Sequence, residues 1–287
     1  LAEPLLRERR GAAGRVAVAS RHGAVRETLE RYYQDFAEHE QLLESIRFNS
    51  DVVRAAWNED DSQWELVVKD TLSGEVSVVQ VHALISAVGV LNQPKIPAFK
   101  GLDKYRGETI HSAEWHSGVE HRGKRVNIIG TGASAYQIAP NIVDEVESLA
   151  IFQRSAPWIL PAPLYEAEVE PGRQWLMENI PTYHRWLRLW EFWHSTIGKY
   201  ALTKADPNWS SAESVSEPNQ RFRDALASNI RAQYVGHKHL LDAVIPTYPV
   251  GVKRMLRDNG RWARTLQQPQ TALVTEEIDS FDEDGIV

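Results

Sequence analysis

The sequence predicts an α/β fold in two parts, and three observations support this prediction. Residues 124–154 contain a short apolar run, a glycine turn, a helical pattern and a second apolar run, as in a parallel β–α–β unit. Before this unit, residues 51–81 hold three β-like runs separated by turn residues, which predicts a small antiparallel meander. After it, residues 160–245 carry aromatic residues at helical spacing, which predicts a helical insertion.

Composition limits the classes of function. The 287 residues allow two domains, and the formal net charge of -7 argues against nucleic-acid binding. The absence of cysteine excludes disulfides, thiolate metal sites and a thiol nucleophile. No stretch approaches 18 consecutive apolar residues, and the N-terminus shows no secretory pattern. We therefore expect a cytoplasmic protein without a membrane span.

The N-terminal part of the chain contributes an unassigned leader, one helix and the meander. Residues 1–22 are rich in Arg and Ala without a clear period, so we assign them to no domain. Residues 23–46 carry Leu, Tyr and Phe at mostly helical spacing, which predicts a helix. The three β-like runs that follow are joined by turn residues, most clearly at 72–75 (LSGE).

A further strand and a linker follow the meander. Residues 81–90 (VHALISAVGV) are almost continuously apolar, which predicts a buried strand that ends at Gly89. Residues 92–97 (NQPKIP) contain two prolines, which continue neither a strand nor a helix. We place a domain linker there.

The glycine turn of the β–α–β unit has the spacing of a dinucleotide fingerprint. Residues 130–135 (GTGASA) match G-x-G-x-x-G/A, with Ala at the third position. Gly130 would make the tight turn, Gly132 would let the backbone approach a pyrophosphate, and Ala135 would let the helix pack close to the sheet. The pyrophosphate would lie at the helix N-terminus, where free N–H groups favour an anion. These features predict a Rossmann-like domain.

Arg154 indicates which dinucleotide is bound. It follows the second apolar run, twenty-four positions after Gly130, where a fold for NAD has an acidic residue. An Arg at this place accommodates the 2′-phosphate of NADP, because its planar fork matches a phosphate group. The alternative is an ordinary surface turn followed by a surface Arg.

The helical insertion has an unusual aromatic content. Its aromatic residues at helical spacing are Trp175, Tyr183, Trp186, Trp190 and Trp193. Residues 222–234 predict another helix, and residues 271–275 (TALVT) predict a further strand. The aromatic residues fit helix packing, or alternatively an apolar wall over a ring-shaped cofactor or substrate.

Five stretches together resemble the flavin-dependent Baeyer–Villiger monooxygenases, most closely the 4-hydroxyacetophenone monooxygenase type. They are LISAVGVLNQPKIP, YRGETIHSAEW, GKRVNIIGTGASAYQIAP, IFQRSAPW and PTYPVGVKRMLRDNG. The family signature is an aromatic, any residue, Gly, three residues, His, three residues, Trp, then Pro or Asp. Four of its positions are filled here by Tyr105, Gly107, His111 and Trp115. His116 replaces the last position, and Tyr stands where Phe is commoner. The resemblance covers about residues 23–287.

The resemblance implies roles for particular residues. Those implied to surround the NADP pyrophosphate are Gly130, Thr131, Gly132, Ala133, Ser134 and Gln137. Arg154 and Lys253 would hold the 2′-phosphate. Arg254 is similar to the family's active-site arginine, which stabilises the anionic oxygen species and stays close to the nicotinamide. Without the resemblance, Lys253 and Arg254 read as a solvated basic pair.

Two further positions concern the flavin domain and domain motion. Gly89 would belong to a turn of the flavin domain. His111 would act through motion of the linker rather than by proton transfer, whereas by itself it reads as a structural histidine. The implied domains are an incomplete FAD-binding domain at 23–100, a linker at 101–120 and an NADP-binding domain at 121–287, with its helical insertion at about 160–245.

The implied function is an NADPH- and FAD-dependent monooxygenase. It would insert one oxygen atom of dioxygen next to a ketone carbonyl, giving an ester or a lactone. The family uses two dinucleotide folds, and this chain has no G-x-G-x-x-G before Gly23, so we expect a partial chain. The resemblance leaves a homodimer as one option for the assembly.

Two alternatives stay open. One is a non-catalytic NADP-binding remnant, and the other is a related flavin monooxygenase that oxidises nitrogen or sulfur. Because neither H-E-x-x-H nor G-x-S-x-G occurs, we expect no metal site and no serine hydrolase chemistry.

Overall fold

The structure is a computed structural model that divides into two compact units. One comprises Leu29–Pro94, and the other comprises Lys95–Val287 together with residues 26–28. The unassigned leader at 1–22 lies outside the described residues. The structure describes residues 26–89, 91, 93–116 and 118–287.

The smaller unit is built on a three-stranded antiparallel meander. Its strands are β1 (Ser50–Asn58), β2 (Gln63–Asp70) and β3 (Val76–Val81), in the order β1-β2-β3. Helix α1 (Arg26–His39) precedes these strands, and its residues 29–39 belong to the smaller unit. The predicted meander and the predicted helix are both confirmed.

The turn between β2 and β3 follows from its sequence. Asp70 accepts hydrogen bonds from the N–H groups of Leu72 (2.9 Å) and Ser73 (2.8 Å), and Gly74 adopts a φ of +76°. The N–H groups of Ser73 and Leu72 lower the pKa of the Asp70 carboxyl. The side chain thus replaces the backbone partners that the turn lacks.

The predicted buried strand at 81–90 is wrong for the residues that the structure describes there. β3 ends at Val81, and residues 82–89 form no strand. Ile85 is 88% exposed and Val88 is 67% exposed. A buried strand needs neighbouring strands and cover on both faces, and an apolar run alone supplies neither.

The larger unit contains the predicted β–α–β unit. β4 (Arg125–Ile129), helix α2 (Ala133–Ile142) and β5 (Ser148–Phe152) follow one another, and β8 (Thr271–Val274) pairs with β5. The strands are parallel in the order β4-β5-β8, so their carboxyl ends meet at one edge. The predicted α/β, Rossmann-like fold is confirmed.

The remaining α-helices and strands lie between β5 and β8 in the sequence. They are β6 (Ile159–Pro161), α3 (Pro171–Asn179), α4 (Tyr183–Ser195), α5 (Ile197–Thr203), α6 (Glu217–Gln233), α7 (Leu241–Val244), β7 (Leu256–Asp258) and α8 (Arg261–Leu266). β6 and β7 form a separate parallel pair.

Helices α2, α6 and α8 and the parallel sheet form the core of this unit. Leu149 and Ile151 of β5 are almost fully buried, and the ring of Trp262 stacks on that of Tyr136 with centroids 3.9 Å apart. Ala135 is 6% exposed and belongs to the same cluster. Its small side chain allows the close helix–sheet packing that the fingerprint predicts.

Most aromatic side chains of α4 are exposed in the described part of the chain, namely Trp186, Trp190, Phe192 and Trp193. Trp186 is 68% exposed and Trp190 is 60% exposed, so the expectation of helix packing is wrong for these two side chains. Among the described elements, α4 packs mainly against its sequence neighbours α3 and α5, which leaves much of its aromatic surface uncovered. No helix in the described part of the chain is both long enough and apolar enough to cross a membrane.

Candidate functional site

The glycine turn joins β4 to α2 at the carboxyl edge of the parallel sheet. Gly130 has a φ of +101°, which favours glycine, and its N–H donates to the Phe152 carbonyl of β5 at 2.8 Å. Gly132 is the N-cap of α2, and its carbonyl accepts from the N–H of Tyr136 at 3.1 Å. The first N–H groups of α2 have no intrahelical partner and face this edge.

The space above the turn is open. A Cβ atom placed on Gly130 or Gly132 would meet no heavy atom within 4 Å. Gly132 has a φ of -80°, which any residue adopts, so neither strain nor a protein neighbour requires glycine there. Close approach of a ligand would account for glycine at this position. A pyrophosphate at a helix N-terminus is such a ligand, so the turn fits a dinucleotide.

Ser155 links Lys253 to the glycine turn, and Arg154 directly precedes Ser155 in the chain. Arg154 is exposed and makes no hydrogen bond or ion pair within the described part of the chain. The next residue, Ser155, accepts from Lys253 Nζ at its Oγ (2.9 Å) and from Thr131 Oγ1 at its carbonyl (3.3 Å). Ser155 therefore connects the glycine turn, the end of β5 and the loop that carries Lys253.

Tyr248 also positions Lys253. The Lys253 Nζ lies 4.5 Å from the centroid of the Tyr248 ring, which is a cation–π distance. The Tyr248 hydroxyl donates to the Ala156 carbonyl at 2.9 Å, and its own carbonyl accepts from Trp158 Nε1 at 2.9 Å. Burial raises the pKa of Tyr248 above its ordinary value, so its hydroxyl remains a donor to a higher pH than that of an exposed tyrosine.

The other residues implied to surround the pyrophosphate lie on α2 or next to it. Ala133 and Ser134 form its first turn, and Gln137 lies one turn further. The side chains of Ser134 and Gln137 are exposed and make no hydrogen bond among the described residues. Thr131 differs, since it is buried and its hydroxyl is directed to Ser155.

Arg254 lies in an open groove of about 870 Å³, which we call the Arg254 groove. Residues from the end of α4 and from α5 form one side, and residues 251–255 form the other. Gly251 has a φ of +96°, and a Cβ there would approach Thr203 Cγ2 to 2.5 Å, so only glycine lets the loop come this close to α5. The groove is lined by Ser195, Thr196, Ile197, Lys199, Tyr200, Thr203, Gly251, Val252, Lys253, Arg254 and Met255.

A single buried amide holds the two sides of this groove together. Asn219 of α6 is 0% exposed, and its Nδ2 donates to the carbonyls of Leu202 in α5 (2.7 Å) and Val250 (2.9 Å). Its Oδ1 accepts from the N–H of Val215 at 3.3 Å. All the polar atoms of the Asn219 side chain are thus paired, and α5 is fixed relative to the loop before Arg254.

The signature residues Tyr105 and Gly107 pack within the larger unit. A Cβ on Gly107 would overlap the Tyr105 ring, so a side chain at position 107 would displace that ring from its present place. The Tyr105 ring lies 6.1 Å from that of Phe281, and Arg106 pairs with Glu283 at 2.6 Å. This part of the signature therefore holds the linker against the C-terminal segment.

His111 and Trp115 bound a short 3₁₀ helix. Nδ1 of His111 accepts from the N–H of Ala113 at 3.1 Å, so the imidazole caps the helix. Trp115 is half-buried against the core of the larger unit. His111 has a structural partner here, and its role in linker motion stays a prediction.

Two further expectations from the sequence concern Gly89 of the flavin domain and the absence of a metal site. Gly89 has a φ of +77°, as a turn requires, but it lies in the smaller unit and a Cβ there would meet nothing within 4 Å. No group of three His, Asp or Glu side chains suited to a metal ion occurs among the described residues. His121 and Arg122 instead pair with Glu145 at 2.6 and 2.9 Å, joining the entry to β4 with the end of α2.

Sequence comparison identifies the family. The profile described as flavin-binding monooxygenase-like matches residues 24–167, which is half of the chain. The chain belongs to the flavin-binding monooxygenase-like family. Its glycine turn, Arg154 and the signature all lie within the matched residues.

Several proteins that are similar to this chain in sequence or in structure are Baeyer–Villiger monooxygenases or related monooxygenases. A Baeyer–Villiger monooxygenase of Streptomyces coelicolor is 39% identical over 80% of this chain and 41% of its own length. An uncharacterised monooxygenase of Sinorhizobium fredii is 35% identical over 86% of this chain and 37% of its own. The crystal structure of OTEMO with FAD and NADP matches with a TM-score of 0.72 and 26% identity, over 91% of this chain and 54% of the other. The chain spans roughly a third to a half of the length of these relatives.

Sequence reasoning missed four residues that build this part of the molecule. Ser155, Tyr248, Asn219 and Lys199 carry no motif of their own. For Ser155 a signal existed, since a hydroxyl residue directly follows Arg154 at the strand end. Asn219 and Tyr248 contact residues distant in sequence, and Lys199 lines a groove together with a loop about fifty residues later in the chain.

Proposed function

We propose that this chain binds NADP at its glycine turn and supplies the dinucleotide-binding part of a Baeyer–Villiger monooxygenase. One observation carries the proposal: above the open turn at Gly132, Ser155 joins Thr131 of the turn to Lys253 and directly follows Arg154 in the chain. The relative from Streptomyces coelicolor and the NADP-bound OTEMO structure support the same assignment.

Different groups of the protein bind different parts of the dinucleotide. The free N–H groups at the start of α2 bind the pyrophosphate, whose charge the helix N-terminus favours. Arg154 binds the 2′-phosphate with its planar fork, which accounts for selectivity over NAD. Lys253 adds a point charge, which Ser155 Oγ and the Tyr248 ring hold in place.

The proposed reaction is the oxygenation of a ketone to an ester or lactone, of the 4-hydroxyacetophenone monooxygenase type. NADPH supplies the hydride and FAD the dioxygen chemistry when they are bound. The Arg254 guanidinium is exposed in its groove and pairs with no other group among the described residues. It stabilises negative charge on the reacting oxygen atoms, as a fixed cation near developing charge does.

The described residues fit NADP better than FAD. Residues 130–135 form the one place, within the described chain, where a strand enters a helix through the fingerprint turn. Gly89 stays the proposed contact for the flavin, and we assign no reaction step to it. This observation favours a non-catalytic NADP-binding module as the second candidate function.

Nucleotide titration of purified variants tests the phosphate site. For Arg154→Ala we expect NADPH to bind about 10- to 100-fold more weakly, since a charge-assisted hydrogen bond contributes about 1.5–3 kcal/mol. NADH binding should not change. Arg125→Ala is the matched control, because Arg125 is exposed at the opposite end of β4. Unchanged NADPH affinity in Arg154→Ala would refute the site.

Flavin binding separates the two candidate functions. The chain is mixed with FAD, freed of unbound flavin by gel filtration, and examined by visible absorbance. Retained flavin absorbance supports the monooxygenase. A colourless protein that still binds NADPH supports the non-catalytic module.

A further inference from the structure

The Arg254 groove contains a cation that the proposed function does not use. Lys199 of α5 lines the groove together with Lys253 and Arg254, whereas its lining includes no acidic residue. Three cations therefore face one groove in a chain whose formal net charge is -7. Such a concentration of positive charge favours an anionic ligand.

Lys199 is poorly compensated within the protein. It is half-buried, and its ammonium group makes no hydrogen bond or ion pair in the described part of the chain. Burial, followed by repulsion from Arg257, lowers the pKa of Lys199, and attraction by Glu191 does not offset them. A half-buried cation without a partner is unfavourable, and a bound anion removes this cost.

The rest of the groove is suited to an apolar molecule. Ile197, Val252 and Met255 provide aliphatic surface, and the Tyr200 ring is 65% exposed beside them. Three of the groove's four hydroxyl groups already donate to helix carbonyls: Ser195 and Thr196 to Phe192, and Thr203 to Lys199 and Tyr200. The fourth, the Tyr200 hydroxyl, makes no hydrogen bond in the described part of the chain. The cations are therefore the main groups left to recognise a polar ligand.

We propose that the Arg254 groove binds an organic anion whose carboxylate or phosphate pairs with Lys199 while its apolar part lies against Tyr200 and Met255. This inference rests on the proposed function, which it sharpens by naming the ligand chemistry. The anionic group has two sources: an acidic group on the ketone substrate, or a phosphate of NADP. In the first case the substrate is a keto acid, and the groove that anchors its carboxylate also contains Arg254.

A matched pair of ketones tests the first source. Isothermal titration of the chain compares 4-oxo-4-phenylbutanoate with its methyl ester, which has the same ketone and ring but no charge. We expect the acid to bind at least about tenfold more tightly than the ester, which corresponds to about 1.4 kcal/mol. Lys199→Met, which keeps the chain length of the side chain, should abolish this preference, and Lys199→Arg should retain it.

Lys204→Met is the control. Lys204 is exposed at the C-cap of the same helix and does not line the groove, so the preference should survive its loss. Thermal melting of each variant shows whether it is folded, and the behaviour of Lys199→Arg separates loss of charge from loss of structure.

NADPH and NADH titrations of Lys199→Met test the second source. A weaker affinity for the acid with unchanged NADPH affinity supports a keto acid. A weaker NADPH affinity alone supports a phosphate of the cofactor. If Lys199→Met binds all four probes as the wild type does, the inference is wrong.

The same titrations distinguish this inference from the proposed function. Suppose that the wild type binds NADPH in an Arg154-dependent manner, binds acid and ester equally, and that Lys199→Met leaves NADPH affinity unchanged. This result keeps the NADP site and overturns the anion site. Wild type that does not bind NADPH, but prefers the acid in a Lys199-dependent manner, overturns the NADP site and keeps the anion site.

Discussion

The glycine-turn edge and the Arg254 groove lie in the same unit and share Lys253, but they are assembled differently. At the edge, the fingerprint and Arg154 follow one another within 25 residues, and the backbone of one β–α–β unit positions them. The groove combines α5 with a loop about fifty residues later, held together by the buried amide of Asn219. The edge is local in sequence, whereas the groove depends on tertiary contacts.

This difference predicts which property a substitution alters in each region: ligand binding or stability. A change at the edge alters ligand binding while the fold stays intact, because the turn faces open space. A change in the support of the groove alters stability first, because its polar contacts are buried. The following predictions test this contrast, from the largest expected effect to the smallest.

Gly132→Val should abolish dinucleotide binding without unfolding the protein. The backbone at Gly132 suits any residue, and no protein atom is near the new Cβ, but the side chain occupies the space of the pyrophosphate. We expect a loss of NADPH affinity of more than about 100-fold, or about 2.8 kcal/mol, with little change in Tm. Gly172→Val, also without near neighbours, is the control. A folded Gly132→Val variant with normal NADPH binding would contradict the placement of the pyrophosphate above Gly132.

Asn219→Leu should destabilise the larger unit. The isosteric change leaves the carbonyls of Leu202 and Val250 and the N–H of Val215 without their partner. Because each unsatisfied buried group costs about 1–3 kcal/mol, the free energy of unfolding should fall by at least about 2 kcal/mol. Denaturant titration measures this, with exposed Asn208→Leu as the control. Equal stability of the two variants would show that Asn219 does not hold the groove.

Substitution of a buried tryptophan and of an exposed one should have different effects on the stability of the protein. Trp158 is 1% exposed and its Nε1 donates to the Tyr248 carbonyl, so Trp158→Phe should cost about 1–3 kcal/mol of unfolding free energy. Trp186 is mostly exposed, and Trp186→Ser should stay within about 0.5 kcal/mol of the wild type. Strong destabilisation by Trp186→Ser would show that the aromatic surface of α4 is covered.

The binding of a keto acid should depend on pH through Lys199. Its pKa is lowered by burial and by Arg257, with Lys253 and Arg254 also facing the groove and Glu191 acting in the opposite sense. Anion affinity should therefore be complete below the pKa of Lys199 and fall as the pH rises through it. Lys199→Arg stays charged, so its affinity should not fall over that range. The same decline in both proteins would assign it to another group.

A comparison of β5 with residues 82–89 shows how much of the fold the sequence could predict. Both are apolar runs, and both were predicted as strands. β5 lies between β4 and β8, and its buried residues complete a core with α2. Residues 82–89 have no pairing strand in the described chain and are largely exposed. Periodicity reports only the local preference, so the pairing partners decide the outcome.

The candidate site divides in the same way. The positions of Gly130, Gly132 and Arg154 follow from spacing along one β–α–β unit, and the sequence places them correctly at one edge. The contact of Lys253 with Ser155 joins residues 98 positions apart, and no local pattern encodes it. Lys199 enters the groove only because α5 packs beside the loop at Gly251.

The ratio of the dissociation constants for NADH and NADPH tests the central claim most directly. The 2′-phosphate is the difference between the two nucleotides, and Arg154 and Lys253 are the groups assigned to it. We predict a ratio of about 100 or more in the wild type and close to one in the Arg154→Ala/Lys253→Met double variant. A ratio that is high in the wild type and unchanged in the double variant, or close to one in both, would contradict the account.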